Sequence, residues 1–386
     1  MSEFRTIREL CSVVADCPHS TPKWTTSGKV VVRNNNIKHG RIDLSLPSYT
    51  DEEHFAQRIK RAKPHPGDII ITREAPIGDV GMIPENTECC LGQRMVLLRA
   101  DQSVCDNFYL LYSLQSLYVQ HQISWSEGTG TTVSNLRIPH LEQIQIPYLP
   151  LEQQARISSV LRALEEKIAI NKKINDNLQQ QAAALFSSLY DRTNTEVRFT
   201  DLIQILGGGT PKTGENTYWN GNIAFFTPKD VDTPYTLITE KTITEEGLSH
   251  CNSRLYPVNT VFVTARGTVG KVGMSGVPMA MNQSCYALVG KETHQLLVYF
   301  YTLKAVDRLK HKASGAVFDA ITTRDFESEQ IMKLSDDDAK DFLCIAEPMF
   351  QKVRNNCIEN LRLSTLRDSL LPKLMSGEID VSAVQL

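Results

Sequence analysis

Several common signals are missing from this sequence of 386 residues. No apolar run approaches the ~20 residues that cross a bilayer, and the first residues lack the apolar segment of a secretory signal. The nine cysteines include no CxxC pair and no regular spacing, as is usual for thiols kept reduced inside a cell. We therefore expect a cytoplasmic protein with neither membrane spans nor a disulfide framework.

Signatures of catalysis are missing as well. There is no Asn/Asp/Ser-Pro-Pro-aromatic tetrapeptide of an amino-methyltransferase and no glycine-rich loop suited to S-adenosylmethionine. "ARGTVGKV" resembles a phosphate loop only in its Gly-Lys, because Ala265 replaces the first glycine and Val272 the Ser/Thr. Asp68 and Glu74 are possible nuclease carboxylates, but the lysine that a nuclease motif requires is missing beside them. We predict no catalytic residue.

Metal and phosphate sites are weakly supported. Cys11, Cys17 and His19 form a partial set of zinc ligands, but no fourth ligand follows at a zinc spacing. The glycine-rich run at 206–210 is able to cradle a phosphate, although a turn that closes a strand is the simpler interpretation. We predict no metal site.

The charge pattern is more informative than the net charge of −3. Residues 17–42 and 54–67 contain Lys and Arg without any Asp or Glu. Such cationic patches are suited to contact phosphate, although solvated surfaces also carry them.

An internal repeat of long period organises the sequence. "ITREAPIGDVGM" at 71–82 matches "VTARGTVGKVGM" at 263–274, and Thr72 corresponds to Thr264, 192 positions later. Three further pairs follow in the same order: "STPKW" (20–24) with "GTPKT" (209–213), Gln93 with Gln283, and "GTTVSNL" (130–136) with "GAVFDAI" (315–321). A period this long indicates a duplicated domain, since solenoid repeats run roughly 20–50 residues.

Each copy combines strands and helices. The β-branched runs at 68–73 and 260–266 are closed by glycine-rich turns and predict strands, and helical stretches at 107–123 and 296–312 follow them. The second stretch carries a cationic stripe. We predict an α+β fold with two mixed α/β units and an internal pseudo-two-fold repeat.

Each copy then ends in a long helix with a coiled-coil seam. Alternating steps of four and three from Ile157 reach Leu189 through apolar positions, apart from Asn171 and Asn175. The positions 185 residues later run from Phe342 to Leu374, and asparagines recur there at the same two steps. A helix with such a seam buries it against a partner, and the other copy's helix is an obvious one.

Antiparallel pairing of the two helices places Asn171 opposite Asn360 and Asn175 opposite Asn356. Buried asparagines penalise registers in which they face only leucine, so this layer is predicted to fix the register. The alternative is that all four are exposed polar positions on ordinary helices. Pro348 and Arg367 interrupt the second seam, so we expect the second helix to be kinked and shorter than the first.

The seam also predicts a distance. A helix of this length spans about 50 Å at 1.5 Å per residue. Two units held that far apart would meet one face of duplex DNA roughly one to one and a half turns apart.

The sequence resembles the S (specificity) subunit of Type I restriction-modification systems (HsdS family) over nearly its whole length. The most specific motifs are "TTVSNL" (131–136), "IPYLPLEQQ" (146–154) and "NKKINDNL" (171–178), with "LRDSLLPKLMSGEI" at 366–379. "DCPHSTPKW" (16–24) and "LGGGTPKTGENTYWNGNI" (206–223) are similar to the openings of the family's target recognition domains.

The resemblance implies a division of labour. In this resemblance, residues 1–150 and 192–335 correspond to two target recognition domains, each of which reads half of a bipartite site on double-stranded DNA. The helices at 151–191 and 336–377 pair antiparallel and set the spacer. Two methyltransferase (M) subunits perform adenine-N6 methylation, and two restriction/motor (R) subunits perform restriction. S-adenosylmethionine, ATP and Mg²⁺ are expected on those partners, with no cofactor in this chain.

Residues that contact DNA are predicted by chemistry. Candidates for phosphate are Lys23, Lys38, Arg41, Arg58, Arg61 and Lys63 in the first half and Lys212, Lys229, Lys271 and Lys310 in the second. Candidates for bases are Arg73, Arg94, Asn34, Asn35 and Asn36, and then Arg266, Asn282 and Gln283. Trp24 and Trp219 follow the paired "TPK" motifs, where packing under a loop is favoured over wedging between bases.

Two other functions remain open from the sequence. A coiled-coil interaction scaffold without DNA binding accounts for the seam but not for the two acid-free basic stretches. A self-sufficient DNA methylase or nuclease requires an active site that the motifs do not provide.

Overall fold

A computed structural model describes residues 3–38, 40–125, 135–232, 234–312 and 320–381. The chain divides into two compact units, the first formed by 1–167 and 363–386 and the second by 168–362. Each long helix therefore contributes residues to both units.

In its described residues, the first unit contains twelve strands and five complete α-helices. Its strands are β1 (Glu3–Thr6), β2 (Cys11–Asp16), β3 (Trp24–Thr25), β4 (Lys29–Val32), β5 (Ile37–Lys38), β6 (Gly40–Ile42), β7 (Ser48–Thr50), β8 (Ile69–Thr72), β9 (Val80–Met82), β10 (Cys89–Leu91), β11 (Met95–Ala100) and β12 (Gln145–Tyr148). Its helices are α1 (Ile7–Leu10), α2 (Glu52–Arg58), α3 (Asn107–Gln115), α4 (Leu117–Trp125) and α5 (Ile138–Gln143), followed by α6 (Leu151–Tyr190).

These strands form a six-stranded sheet in the order β2-β11-β8-β9-β6-β5, a four-stranded sheet β10-β4-β7-β3 and the pair β1-β12. The sequence of β8 explains its central place, because its four residues are β-branched and completely buried. Helix α3 covers one face of the larger sheet with Tyr109, Leu110 and Tyr112.

The second unit, over the part of it that the structure describes, contains ten strands and four complete α-helices. Its strands are β13 (Glu196–Arg198), β14 (Ile203–Gly207), β15 (Trp219–Phe226), β16 (Tyr235–Thr236), β17 (Lys241–Ile243), β18 (Val261–Thr264), β19 (Val272–Ser275), β20 (Met279–Met281), β21 (Cys285–Gly290) and β22 (Gln330–Met332). Its helices are α7 (Phe199–Leu202), α8 (Glu245–Ser249), α9 (Gln295–Lys312) and α10 (Thr323–Ser328), followed by α11 (Asp336–Met375).

The two units repeat one strand topology. The sheet β14-β21-β18-β19-β16 has the order of β2-β11-β8-β9-β6. In both, the fifth strand pairs parallel with the second strand of an antiparallel hairpin, and in the first unit β5 then extends the sheet. A smaller sheet, β17-β15-β20, repeats the parallel and antiparallel neighbours of β7-β4-β10. The strand pairs β1-β12 and β13-β22 also correspond. The predicted duplication and mixed fold are confirmed.

The repeated turn after β8 and β18 is the same at the level of hydrogen bonds. The amide of Gly78 donates to the carbonyl of Thr72 at 2.9 Å, and Gly270 donates to Thr264 at 2.9 Å. The next amide donates to the threonine hydroxyl at 2.9 Å in both copies. Both glycines have φ near +80° (82° and 74°), which the absence of Cβ permits.

The last repeated segment lies mostly outside the described residues. Where it is described, Leu136 donates its amide to the carbonyl of Arg73 at 3.0 Å, and Ile321 donates to that of Ala265 at 2.9 Å. The described ends of 130–136 and 315–321 therefore attach in the same way to the repeated turn.

Helices α6 and α11 bury the predicted seam. Every seam position from Ile157 to Leu189 and from Phe342 to Leu374 is buried or half-buried. The expectation that the second helix is shorter was wrong, because both helices have 40 residues. Pro348 has no backbone N–H, so the carbonyl of Cys344, four residues earlier, lacks its usual helical donor. Both residues are exposed, so water can donate to that carbonyl.

The asparagine layer lies in the second unit. Asn171 donates to the side-chain oxygen of Asn360 at 2.9 Å, and Asn356 donates to that of Asn175 at 2.8 Å. Asn171 and Asn356 are 1% exposed. These are the two predicted pairs, and they require the helices to run antiparallel at this point. None of the helices in the described ranges is long and apolar enough to cross a membrane.

Candidate nucleic-acid interface

Segments of the first unit that are far apart in sequence meet at one cleft of about 550 Å³, which is lined by both polar and apolar residues. Thr21 lies in the loop before β3, Trp24 is the first residue of β3, and Arg33 and Asn34 directly follow β4. The turn before β11 supplies Arg94. Segments that are far apart in sequence therefore present their side chains together.

Side-chain amides connect these loops. Gln93 donates to the hydroxyl of Thr21 at 3.2 Å and also to the carbonyl of His19. Asn36 accepts from the amide of Arg33 at 2.9 Å and donates to a carbonyl at 2.9 Å. Asn36 is buried and holds the turn, so the structure does not leave it free for a base as the sequence prediction requires. Asn35 is exposed.

The two tryptophans have different environments. Trp24 is 45% exposed, and the guanidinium carbon of Arg33 lies 5.0 Å from its ring centroid. Trp219 is half-buried, donates to the carbonyl of Lys212 at 3.2 Å and packs edge-on against Phe225. The expected packing under a loop describes Trp219, whereas Trp24 offers an accessible aromatic face. Arg33 belongs to the acid-free stretch at 17–42 and stands beside the asparagines, but it was not among the predicted contact residues.

Arg94 has an unusual backbone and a defined partner. Its φ of 65° is in the left-handed region, which residues other than glycine rarely adopt. Its Nε lies 3.1 Å from an oxygen of Glu74, and the other oxygen of Glu74 accepts from Asn135 at 2.7 Å. The Arg94 side chain is 56% exposed. It therefore meets the requirement for contact with a ligand.

The environment of Arg73 differs from the accessible one that the predicted base contact requires. It is 9% exposed and donates to the carbonyl of Leu136, to Asp16 at 2.9 Å and to Asn135 at 3.2 Å. All of these acceptors belong to the protein. We therefore exclude Arg73 from the interface and assign it to the attachment of the loop that precedes α5.

Arg58 is also a structural residue. Its buried guanidinium donates to four carbonyls, those of Pro18, Ser20, Leu91 and Gly92. Burial lowers the pKa of Arg58, while these acceptors satisfy the guanidinium. A phosphate contact is incompatible with this environment, and the prediction for Arg58 is not supported.

The other predicted cations of the first unit are exposed and lie beside carboxylates. The shortest ion-pair distances are 3.3 Å for Lys23–Asp51, 3.0 Å for Lys38–Asp43, 3.8 Å for Arg41–Glu165, 3.9 Å for Arg61–Asp16 and 2.8 Å for Lys63–Glu88. Hydrogen bonds from Lys29 and Lys63 lower the pKa of Glu88 to about 2. Exposed ion pairs contribute only about 0–1 kcal/mol, so a phosphate can replace the carboxylate at little cost.

The second unit repeats the framework of the cleft. Thr210 donates to the side chain of Gln283, as Gln93 contacts Thr21 in the first unit. Ala265 donates its amide to the carbonyl of Ser284 at 2.8 Å, and the equivalent bond from Arg73 to Arg94 is also 2.8 Å. The side chains on this framework differ, because Arg266 stands at the position of Glu74 and Ser284 at that of Arg94.

The predicted residues of the second unit are mostly accessible. Arg266, Lys212, Lys229, Lys271, Lys310 and Gln283 are exposed, and Asn282 is half-buried. Asn282 accepts from the amide of Ser284 at 3.0 Å, and Lys229 lies 3.7 Å from Glu240.

Most basic side chains of the cationic stripe on α9 contact other groups of the second unit. Arg308 and Lys312 both contact the buried carboxylate of Glu329, and Lys304 lies 5.1 Å from the ring centroid of Tyr190. Among the described residues, no cluster of three or more His, Cys, Asp or Glu side chains is suited to a metal.

The chain is similar to proteins of known family in both halves of its sequence. The sequence profile for the "Type I restriction modification DNA specificity domain" matches residues 2–180 and again 192–333. The MjaIX specificity subunit of a Type I restriction enzyme from Methanocaldococcus jannaschii is 23% identical over 342 residues, 82% of this chain and 78% of that protein. The HindI specificity subunit from Haemophilus influenzae is 28% identical over 186 residues, 47% of this chain and 40% of that protein.

A solved structure agrees in fold. The S subunit of a Type I restriction-modification system from M. genitalium has a TM-score of 0.60 and 18% identity, and the alignment covers 97% of this chain and 96% of that one. The two profile matches correspond to the two copies of the repeat and cover well over half of the sequence. The chain therefore belongs to the family of Type I restriction-modification DNA specificity domains.

Proposed function

We propose that this chain is the specificity subunit of a Type I restriction-modification complex and recognises double-stranded DNA at a bipartite site. The first unit reads one half-site through the cleft beside Trp24, Arg33 and Arg94. The second unit reads the other half-site through the equivalent surface beside Arg266 and Gln283.

One observation carries this proposal. A threonine–glutamine contact recurs in both units, donated by the glutamine in the first and by the threonine in the second, and the backbone bond beside it is the same, but the exposed side chains on this framework differ. A shared framework with different side chains is what two recognition modules with different targets require. The two half-sites are therefore expected to differ in sequence.

Catalysis belongs to partner subunits in this proposal. Two M subunits methylate adenine N6 and two R subunits perform restriction, with S-adenosylmethionine, ATP and Mg²⁺ bound by these partners in the cytoplasm. The chain itself selects the site. The spacer between half-sites follows the register of α6 against α11, for which the paired asparagines of the second unit provide support.

Mapping of modified adenines in cells that carry the chain and its M partners tests this function. We expect N6-methyladenine within one bipartite motif whose two halves differ and whose spacer has a constant length. The same cells without this chain should lose the modification. Methylation that persists without it, or that ignores sequence, contradicts the proposal.

The alternatives give different results in two further measurements. A coiled-coil scaffold without DNA binding produces no salt-dependent mobility shift of duplex DNA, whereas a specificity subunit does. A self-sufficient methylase transfers methyl groups when the purified chain is incubated with S-adenosylmethionine and DNA. We expect a shift and no transfer.

A further inference from the structure

We propose that Arg94 reads a guanine in the half-site of the first unit and that Glu74 and Asn135 position its guanidinium. This inference rests on the proposed function and adds the identity of one base contact. Arg94 is the specificity-determining residue, and Glu74 and Asn135 are positioning residues.

The contacts of Glu74 orient the arginine. One carboxylate oxygen lies 3.1 Å from Nε of Arg94, and the other accepts a hydrogen bond of 2.7 Å from Asn135. The backbone carbonyl of Glu74 also accepts from Asn34 at 3.0 Å. Only 21% of the Glu74 side chain is exposed, compared with 56% of Arg94. The carboxylate is therefore held inside the cleft wall while the guanidinium extends from it.

A guanidinium held through Nε still has donors for DNA. Arginine carries five N–H donors in a planar fork, and the O6 and N7 atoms of guanine accept two of them in the major groove. Asparagine and glutamine cannot form this pair of charge-assisted bonds, and lysine lacks the planar geometry. The exposed edge of Arg94 therefore matches guanine better than any other base.

The backbone supports a functional role for this position. Arg94 has a φ of 65° and Ala75, next to Glu74, has a φ of 42°, and both are unfavourable for residues with a Cβ. Unfavourable backbone conformations persist where function requires a particular side chain or a particular side-chain direction, and they are concentrated at ligand sites. A structural turn alone is better made with glycine or asparagine.

The same cleft contains an unsatisfied acceptor. The side-chain oxygen of Asn34 is buried and has no hydrogen-bond donor among the described residues. Buried polar atoms without a partner are uncommon and carry a free-energy cost. An amino group of a base or a bridging water satisfies this oxygen when DNA occupies the cleft.

The second unit does not have this arrangement. Ser284 stands at the position of Arg94, and Arg266 stands at the position of the carboxylate. Ser284 is not among the described residues with positive φ. The guanine contact is therefore expected in only one of the two half-sites.

The experiment uses the complete complex of this chain with its M partners. Modified adenines are mapped by sequencing for the native chain and for Arg94→Gly, Arg94→Lys and Glu74→Gln. Glycine suits the left-handed backbone, so Arg94→Gly removes the side chain without strain and should keep the thermal midpoint. We expect Arg94→Gly to relax one G·C position of one half-site, with discrimination at that base pair reduced roughly 10- to 100-fold.

The other variants separate positioning from charge. Arg94→Lys keeps the positive charge and should retain methylation while losing discrimination at the same base pair. Glu74→Gln should weaken discrimination there by a smaller factor, since the guanidinium is still present but less well oriented. Arg8→Gln breaks an exposed arginine–glutamate pair outside the cleft, Arg8–Glu142 at 3.6 Å, and should leave the motif unchanged.

Three results would overturn the inference. The first is that the half-site affected by the Arg94 variants contains no G·C pair in the native motif. The second is that Arg94→Gly leaves the motif unchanged. The third is that the Arg94 variants change both half-sites. If the native complex itself methylates without sequence preference, the proposed function fails instead. The two failures are therefore distinguishable.

Discussion

Asn356 donates a hydrogen bond of 2.8 Å to Asn175 within the second unit, although the two residues are 181 positions apart in the chain. Asn171 and Asn360 form the second pair of the layer, and Asn171 also donates to Glu359 at 2.8 Å. Amide pairs in a mostly apolar seam form their mutual hydrogen bonds in only one register. They lower the stability of the helix pair but restrict its alignment.

Replacement of all four asparagines by leucine should raise the thermal midpoint by several degrees, because four polar groups leave a mostly buried seam. The register should become less well defined, so the spacer of the methylation motif should vary. Calorimetry and mapping of modified adenines measure these two effects. Unchanged stability together with an unchanged spacer would count against a register role.

Arg58→Met should destabilise the first unit by about 2–5 kcal/mol. Four carbonyls lose their hydrogen-bond donor, and water reaches these carbonyls poorly. Urea denaturation measures the loss. Lys60→Met is the matched control, since Lys60 is an exposed cation two residues away and should change stability by less than about 0.5 kcal/mol. Equal effects of the two substitutions would contradict the structural role of Arg58.

Lys212→Met should weaken DNA binding without changing the methylation motif, because a phosphate contact carries no sequence information. Lys212 is exposed and forms no ion pair with any residue in the described ranges. The slope of log K against log salt should become less steep by about 0.9, the value for one phosphate contact. A titration of a duplex that carries the motif at several salt concentrations provides the slope. A changed motif with an unchanged slope would instead indicate base recognition.

Gly78→Ala should destabilise the first unit by about 1–2 kcal/mol, because φ at this position is 82° and an added Cβ would lie 3.0 Å from Ile123. Gly214→Ala is the control, since no atom lies within 4 Å of a Cβ at that position. Its φ is not positive, so we expect a neutral or slightly favourable change. Thermal denaturation of both variants tests this difference.

Several features of the fold could be predicted because they are repeated or periodic in the sequence. The seam of α6 and α11 depends on spacing alone, and the amide pairs follow from symmetry between two similar helices. The β-branched sequence of β8 is similarly sufficient to predict a buried strand, since few other structures suit such a run. The length of α11 was misjudged because the effect of Pro348 depends on which face of the helix is exposed.

The candidate site was less predictable. Arg58, Arg73 and Arg94 are identical in residue type, and each stands near a basic or repeated motif. Only the folded chain places carbonyls around the first, acidic and amide groups around the second, and an open cleft beside the third. Residue type therefore indicated cations but not which of them remain available.

The sequence by itself determined the duplication, the family, the strand-rich units and the asparagine register, because each of these is encoded in local pattern or in repetition. Only the tertiary structure decided which side chains face a ligand. Burial and hydrogen-bond partners depend on residues brought together from distant parts of the chain, as Thr21, Arg33 and Arg94 are in the cleft of the first unit.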